Sequence, residues 1–155
     1  LCIALPLFLL DQATKLLVLR TLDLHSVVPV IPGFFNLVHV TNTGAAFGML
    51  KGANTFFTVL SAVALIVVAV LLWKGIFHDS LSRWGAALLL AGVAGNLTDR
   101  IFHGHVIDFL DFILPWYGRW PAFNVADSCI CVAAGLFILS AFLDKGEGTA
   151  DGKTP

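Results

Sequence analysis

Hydrophobic positions gather in four long runs, each close to the roughly 20 apolar residues an α-helix needs to cross a bilayer core. They are Leu1–Leu19, Asn54–Trp73, Trp84–Phe102 and Ala122–Leu143. The second carries no charge. Asp11 and Lys15 interrupt the first, Asn96, Asp99 and Arg100 close the third, and Asn124 and Asp127 open the fourth. This pattern predicts an all-α membrane protein with four transmembrane helices. The first run is not expected to be a cleaved signal peptide, because it lacks a small-residue cleavage site and contains Asp11 and Lys15. The chain begins at Leu1 rather than Met, so a few residues are expected to precede it.

Between the runs the pattern changes. In the long connection Thr21–Ala53, the piece Phe35–Thr41 has strand character and follows a Pro29/Pro32/Gly33 turn cluster. Lys74–Arg83 is short and polar. His103–Pro121 carries Trp116, Tyr117 and Trp120, the residue types of a membrane–water interface, and Trp73 and Trp84 bracket the opposite one. From Asp144 the chain turns polar and glycine-rich, so residues 144–155 are expected to be a disordered tail behind a single domain over residues 1–143.

Composition sharpens this reading. Of 155 residues, 58% are hydrophobic and 12% charged, with a mean hydropathy of +0.90. An ordinary soluble domain is about 25% charged, so lipid must cover much of this surface. The net charge of −1 argues against nucleic acid as a partner. Cys2, Cys129 and Cys131 form no disulfide framework, and the latter two read as small hydrophobes.

Four spans put alternate connections on opposite sides. One side then collects Asn42, Asn96, Asp99, Arg100, Asp108, Asp111, Asn124 and Asp127, whereas the other has Lys74–Arg83 and the termini. Lysine and arginine counts balance across the two sides and give no orientation. Each ionisable group in a spanning helix calls for a reason, since insertion costs about 2.5–3.5 kcal/mol. Asp11 and Lys15 stand at i and i+4, the favourable order for a helical ion pair. They read first as a self-neutralising structural pair and second as support beneath a site. Ala87, Ala91, Gly95 and Asp99 step by four along one face, where small residues let another helix approach. Arg100 beside Asp99 suggests a charge-paired, supporting carboxylate. Asp108 lies between Ile107 and Phe109, surroundings that raise a carboxyl pKa. Asp127 is expected about 9 Å below Pro121 along a helix, with Asn124 one turn above it.

Two carboxyls sharing one proton can activate water for attack on an amide. Asp108 and Asp127 are at compatible depth, although the physics of the sequence does not select them over Asp99 or Asp111. His103, His105 and Asp108 could be metal ligands, but no HExxH or cysteine pair supports them, and interfacial histidines are the plainer reading. No Gly-x-Ser-x-Gly motif points to a serine hydrolase. A small ion or proton transporter is the main rival class. Against it stand the one-sided crowding of polar groups and the lack of an inverted repeat.

Five motifs in order carry a resemblance. They are Asp11-Gln-Ala-Thr-Lys15, Asn42-Thr-Gly-Ala-Ala-Phe-Gly48, Gly95-Asn-Leu-Thr-Asp-Arg100, Gly104-His-Val-Ile-Asp-Phe109 and Phe123-Asn-Val-Ala-Asp-Ser128. Together they make the chain resemble lipoprotein signal peptidase (signal peptidase II), the bacterial membrane aspartic protease family. The resemblance implies a small β-rich extracytoplasmic cradle in the first loop, over residues 21–53. It also implies cleavage of prolipoproteins before a diacylglyceryl-modified cysteine. It makes Asp108 and Asp127 the catalytic pair, with Asn42, Gly44, Asn96, Asp99, Arg100, Asn124, Asp11 and Lys15 binding substrate or supporting the site. It further implies a bacterial cytoplasmic membrane location with the site facing outward, contact with phospholipid, and inhibition by lipopeptides such as globomycin. No metal or other cofactor is expected.

Overall fold

The computed structural model of the chain describes residues 2–44 and 52–147. Four helices form: α1 (Ala4–Thr21), α2 (Asn54–Trp73), α3 (Ser80–Phe102) and α4 (Val125–Glu147). The chain is not all-α. Four strands, β1 (Val27–Ile31), β2 (Phe35–Asn42), β3 (Val106–Leu114) and β4 (Gly118–Arg119), make one antiparallel sheet in the order β1-β2-β3-β4.

The expected strand Phe35–Thr41 is β2. The connection His103–Pro121, read as an interfacial loop, instead supplies β3 and β4, so the sheet is shared by two connections rather than built in the first. β3 reads Val-Ile-Asp-Phe-Leu-Asp-Phe-Ile-Leu and its first four residues are buried. A strand covered on both faces shows no alternation of apolar and polar positions, and that hides it in the sequence. Ile107 and Phe109 pack with Val18 of α1, and Leu22, Leu37, Leu110 and Val125 close around them.

Helix bounds also differ from the apolar runs. α3 starts at Ser80, four residues before Trp84, because Asp79 caps it by accepting from the Ser82 backbone N–H at 2.9 Å. α4 starts at Val125 rather than Ala122, which puts Asp127 in the first turn instead of deep in the helix. At the far end α4 continues to Glu147, so residues 144–147 are helical. The remaining tail, 148–155, lies outside the described residues.

α1 has its polarity inverted. Asp11 and Lys15 are each 1% exposed, whereas Leu5, Leu9 and Leu17 are 54–63% exposed. In water that arrangement would cost the helix its hydrophobic burial and its charge solvation together. It is favourable where hydrocarbon meets the leucines. α2 buries only Val68. By length and composition, α2 and residues Val125–Asp144 of α4 are apolar enough to cross a membrane.

α3 and α4 approach closely along small residues. A Cβ on Gly92 would collide with the Ala126 carbonyl oxygen and meet Ile130, and one on Gly95 would collide with the Asp11 carboxylate. Ala87, Ala91, Gly95 and Asp99 are all buried, as their spacing predicts.

Candidate active site

One hydrogen-bonded network joins five elements. It begins at the end of β2, where Asn42 Oδ1 accepts from the Gly44 backbone N–H at 3.0 Å. That turn fixes the amide so that its Nδ2 faces β3 and donates to Asp108 Oδ2 at 3.0 Å. The other oxygen, Asp108 Oδ1, accepts from Asn124 Nδ2 at 2.9 Å.

Asn124 and Asp127 form a reciprocal cap at the start of α4. Asn124 Oδ1 accepts from the Asp127 backbone N–H at 2.9 Å, and Asp127 Oδ2 accepts from the Asn124 backbone N–H at 3.2 Å. This is the geometry of a capping box, and it satisfies N–H groups that a helix start leaves unpaired. It also fixes Asp127 relative to Asn124, and through Asn124 relative to Asp108. Asp127 Oδ1 accepts from Asn96 Nδ2 at 2.7 Å.

Beneath this pair lies a buried ionic layer. Lys15 Nζ donates to Asp11 Oδ2 at 2.9 Å, to Asp99 Oδ2 at 2.7 Å and to Asn96 Oδ1 at 3.0 Å. All three ammonium protons have acceptors. Lys15 thereby decides which way the Asn96 amide points and leaves its Nδ2 for Asp127. Asp11 Oδ1 accepts from the Ala126 backbone N–H at 2.8 Å, and Asp99 Oδ2 from the Ile107 N–H at 3.2 Å. The layer thus ties α1 to the start of α4 and α3 to β3, the two elements that carry the carboxyls above it.

Two sequence readings change here. The cation beside Asp99 is Lys15, not Arg100. Arg100 reaches the other way, lying 5.4 Å over the Phe57 ring and donating to the Gly44 carbonyl at 3.4 Å. On a helix, i and i+1 diverge by about 100°, so sequence neighbours rarely pair. The Asp11–Lys15 pair does exist, but it is not self-contained: Asp99 and Asn96 share the ammonium, which favours the reading of support beneath a site. Gln12, not singled out in the sequence, belongs to the same layer and donates to Asp11 at 3.1 Å.

Asp111 stands apart. It is three residues from Asp108, and strand alternation sends the two to opposite faces. Its partners are Asn36 at 2.7 Å and Arg119 at 2.7 and 2.8 Å. Asn36 and Asn42 are six apart and would share a face in a regular strand. A bulge in β2, between Leu37 and Val40, shifts the register by one, so that each asparagine meets its own aspartate. His103 and His105 have ring centroids 6.1 Å apart. Both Asp108 oxygens are held by asparagines, and among the described residues no group of three or more His, Cys, Asp or Glu could hold a metal.

Burial, followed by the nearby charge of Asp127, pushes the Asp108 carboxyl up to about 7, against the opposing pull of the Asn42 and Asn124 hydrogen bonds. A cavity of about 530 Å³ opens onto Asp127. Its lining includes the polar Asn42, Asn96, Arg100, Asp127 and Ser128 and the apolar Phe123, Ile130, Cys131 and Val132. Asp108 is joined to this lining through Asn42, which donates to its carboxylate.

The sequence profile described as Signal peptidase (SPase) II matches residues 3–143. The chain belongs to the signal peptidase II family. Among curated relatives, the lipoprotein signal peptidase of Syntrophotalea carbinolica is 46% identical over 140 residues, covering 86% of this chain and 84% of that protein. That of Symbiobacterium thermophilum is 42% identical over 148 residues, covering 96% and 97%. Two solved bacterial membrane enzymes share the fold. One is 31% identical with a TM-score of 0.87, covering 99% of this chain and 93% of its own. The other is 34% identical with a TM-score of 0.80, covering 90% of each. The exposed leucines of α1 and the bare apolar surface of α2 fit this membrane-enzyme family.

Proposed function

We propose that the chain is a membrane-embedded aspartic endopeptidase that removes the signal peptide from bacterial prolipoproteins, cutting on the N-terminal side of the diacylglyceryl-modified cysteine. The observation that supports this most is the pair Asp108 and Asp127, bridged by Asn124, with Asp127 lining a cavity whose other walls are largely apolar. In this reading residues 1–143 form one domain, all four helices span the bacterial cytoplasmic membrane, and the sheet is a cradle on its outer face.

The chemistry follows from the two environments. Between them the carboxyls carry one proton, and Asp108, with its raised pKa, holds it near neutral pH. Asp127, which accepts from Asn96 and Asn124, takes a proton from water as the water oxygen bonds to the scissile carbonyl carbon. Asp108 gives its proton to the carbonyl oxygen, and a tetrahedral diol results. When the diol collapses, the C–N bond breaks and the proton on Asp127 goes to the leaving amine. Asp108 recovers its proton from the diol oxygen, which restores the starting state. Asn42 and Asn124 adjust to the changing charge without moving far.

The lipid supplies orientation. Acyl chains along Ile130, Cys131 and Val132 would hold the modified cysteine, and with it the scissile bond, beside the pair. Fixing geometry in this way can contribute several kcal/mol of barrier lowering. Lipopeptide inhibitors such as globomycin would occupy the same cavity, and membrane phospholipid would border it. The test compares matched precursors with and without the diacylglyceryl group, each anchored in the same detergent micelle by its own signal helix. The unmodified precursor is expected to be cut at least tenfold more slowly. Equal rates would mean that the lipid is not recognised and would remove the lipoprotein assignment.

A further inference from the structure

Residues 120–123, between β4 and α4, form a short segment beside β3 whose ends are both held. The Trp120 N–H donates to the Phe112 carbonyl at 2.8 Å, and the Trp120 ring packs on Tyr117 with centroids 5.3 Å apart. Phe123 exchanges backbone bonds with Leu110 in an antiparallel bridge, donating at 3.1 Å and accepting at 2.8 Å. In an antiparallel ladder, a residue that gives both groups to its partner is flanked by residues whose groups face the other way. Ala122 is such a neighbour. Among the described residues, neither its N–H nor its carbonyl has a hydrogen-bond partner, and it is half-buried. Pro121 before it has no N–H to offer. The sheet therefore ends here on a free backbone donor and a free acceptor in one residue.

That edge borders the site. Trp120, Pro121 and Ala122 line the 530 Å³ cavity that opens onto Asp127. The same three line a second cavity of about 370 Å³, together with Val27 of β1, Val38 of β2 and Arg119 of β4. Beyond these three the two linings share no residue, so the segment stands between the two spaces. Asn124, which bridges the carboxyls, is two residues further along the chain. An open sheet edge is a template for an added strand. An extended peptide rises about 3.3 Å per residue and points successive side chains to opposite faces. Laid along this segment, it has a cavity for each face, and its next residues reach the carboxyl pair.

We infer that Ala122 is a positioning residue: the precursor binds in extended form as a further strand on the edge of residues 120–123, pairing its main chain with the Ala122 N–H and carbonyl and directing successive side chains into the two cavities. This rests on the proposed function of the site. Main-chain pairing supplies affinity without reading a side chain, so it places the scissile bond alike in precursors of different sequence.

The experiment uses the full chain in detergent and synthetic lipidated precursors. In each precursor one amide near the scissile bond, but never that bond itself, is replaced by an ester, which removes an N–H and adds no bulk. At one position the ester is expected to lower kcat/KM about fivefold, the scale of one hydrogen bond, and mostly through KM. Two changes in the enzyme test the other partner. Ala122→Pro lacks the N–H, and lactic acid incorporated at position 122 turns it into an ester oxygen without a change of shape. Each is expected to raise KM for the all-amide precursor about fivefold while kcat stays within about twofold, as loss of a binding contact requires. The sensitive precursor ester is expected to cost less in these enzymes than in wild type, because the two bonds belong to one pairing. If Ala122→Pro does not fold, the lactic acid enzyme carries the test. Wild-type KM in the lactic acid enzyme, a fall in kcat at constant KM, or a scan in which no ester costs more than about twofold overturns the inference. Cleavage of the all-amide precursor by wild type upholds the function in each of those cases. No cleavage of any precursor by wild type removes the function and this inference together.

Discussion

At the scale of single residues, the site is a problem of buried charge. Lys15 neutralises two carboxylates, Asp11 and Asp99. Lys15→Met would leave both without a cation, whereas Asp99→Asn leaves the Lys15–Asp11 pair intact. Removing one partner of a buried pair typically costs about 3–5 kcal/mol. Thermal unfolding in detergent should therefore rank wild type above Asp99→Asn, and Asp99→Asn above Lys15→Met. A Lys15→Met protein as stable as wild type would contradict the ionic layer. Asp108 makes a separate prediction. Its pKa rises from 3.8 in an ordinary setting to about 7 in the fold, so the native state binds the proton more tightly than the unfolded chain. The resulting stability is fully present below pH 4 and is lost as pH rises through 7. Between pH 5 and pH 8 the loss is up to about 3 kcal/mol at 1.36 kcal/mol per pH unit. The melting temperature of wild type should fall over that range more steeply than that of Asp108→Asn. Parallel slopes would show that Asp108 is not perturbed.

At the scale of elements, glycines decide how closely α3 and α4 approach. Gly92→Ala would drive a methyl group into the Ala126 carbonyl, a backbone atom that cannot rotate away. Gly135, in the same helix pair, has nothing within 4 Å of the added atom. Gly92→Ala should lower the melting temperature by several degrees, and Gly135→Ala should leave it unchanged or raise it, by up to about 1 kcal/mol of helix propensity. The reverse order, read by thermal unfolding, would mean that the helices pack elsewhere. The apolar runs made the helices legible, and α2 has the bounds of its run. They did not show β3, because alternation disappears in a strand buried on both sides. Nor did they show that α4 begins at Val125, because the apolar run extends back to Ala122 and the reciprocal bonds of Asn124 and Asp127 that set the start are a matter of geometry. The partner of Asp99 was hidden for a different reason. Lys15 is 84 positions away in the chain, and only the packing of α1 on α3 brings the two together.

At the scale of the whole molecule, polar groups from distant parts of the chain meet at one place, while most leucines of α1 and one side of α2 face outward. That Asn42, Asn96, Asp108, Asn124 and Asp127 come together was readable from the order of runs and connections; the network that joins them depends on the β2 bulge and on Lys15. The central claim is that two carboxyls with separate proton roles cut the precursor. It is tested most directly by incubating purified wild type, Asp108→Asn and Asp127→Asn with a diacylglyceryl-modified precursor and measuring the products by mass spectrometry. The account predicts that wild type releases a product beginning at the modified cysteine. Each variant, still folded and inserted, should lose activity by about a thousandfold or more, within the range by which a positioned acid or base accelerates a reaction. Substantial turnover by either single variant would contradict it.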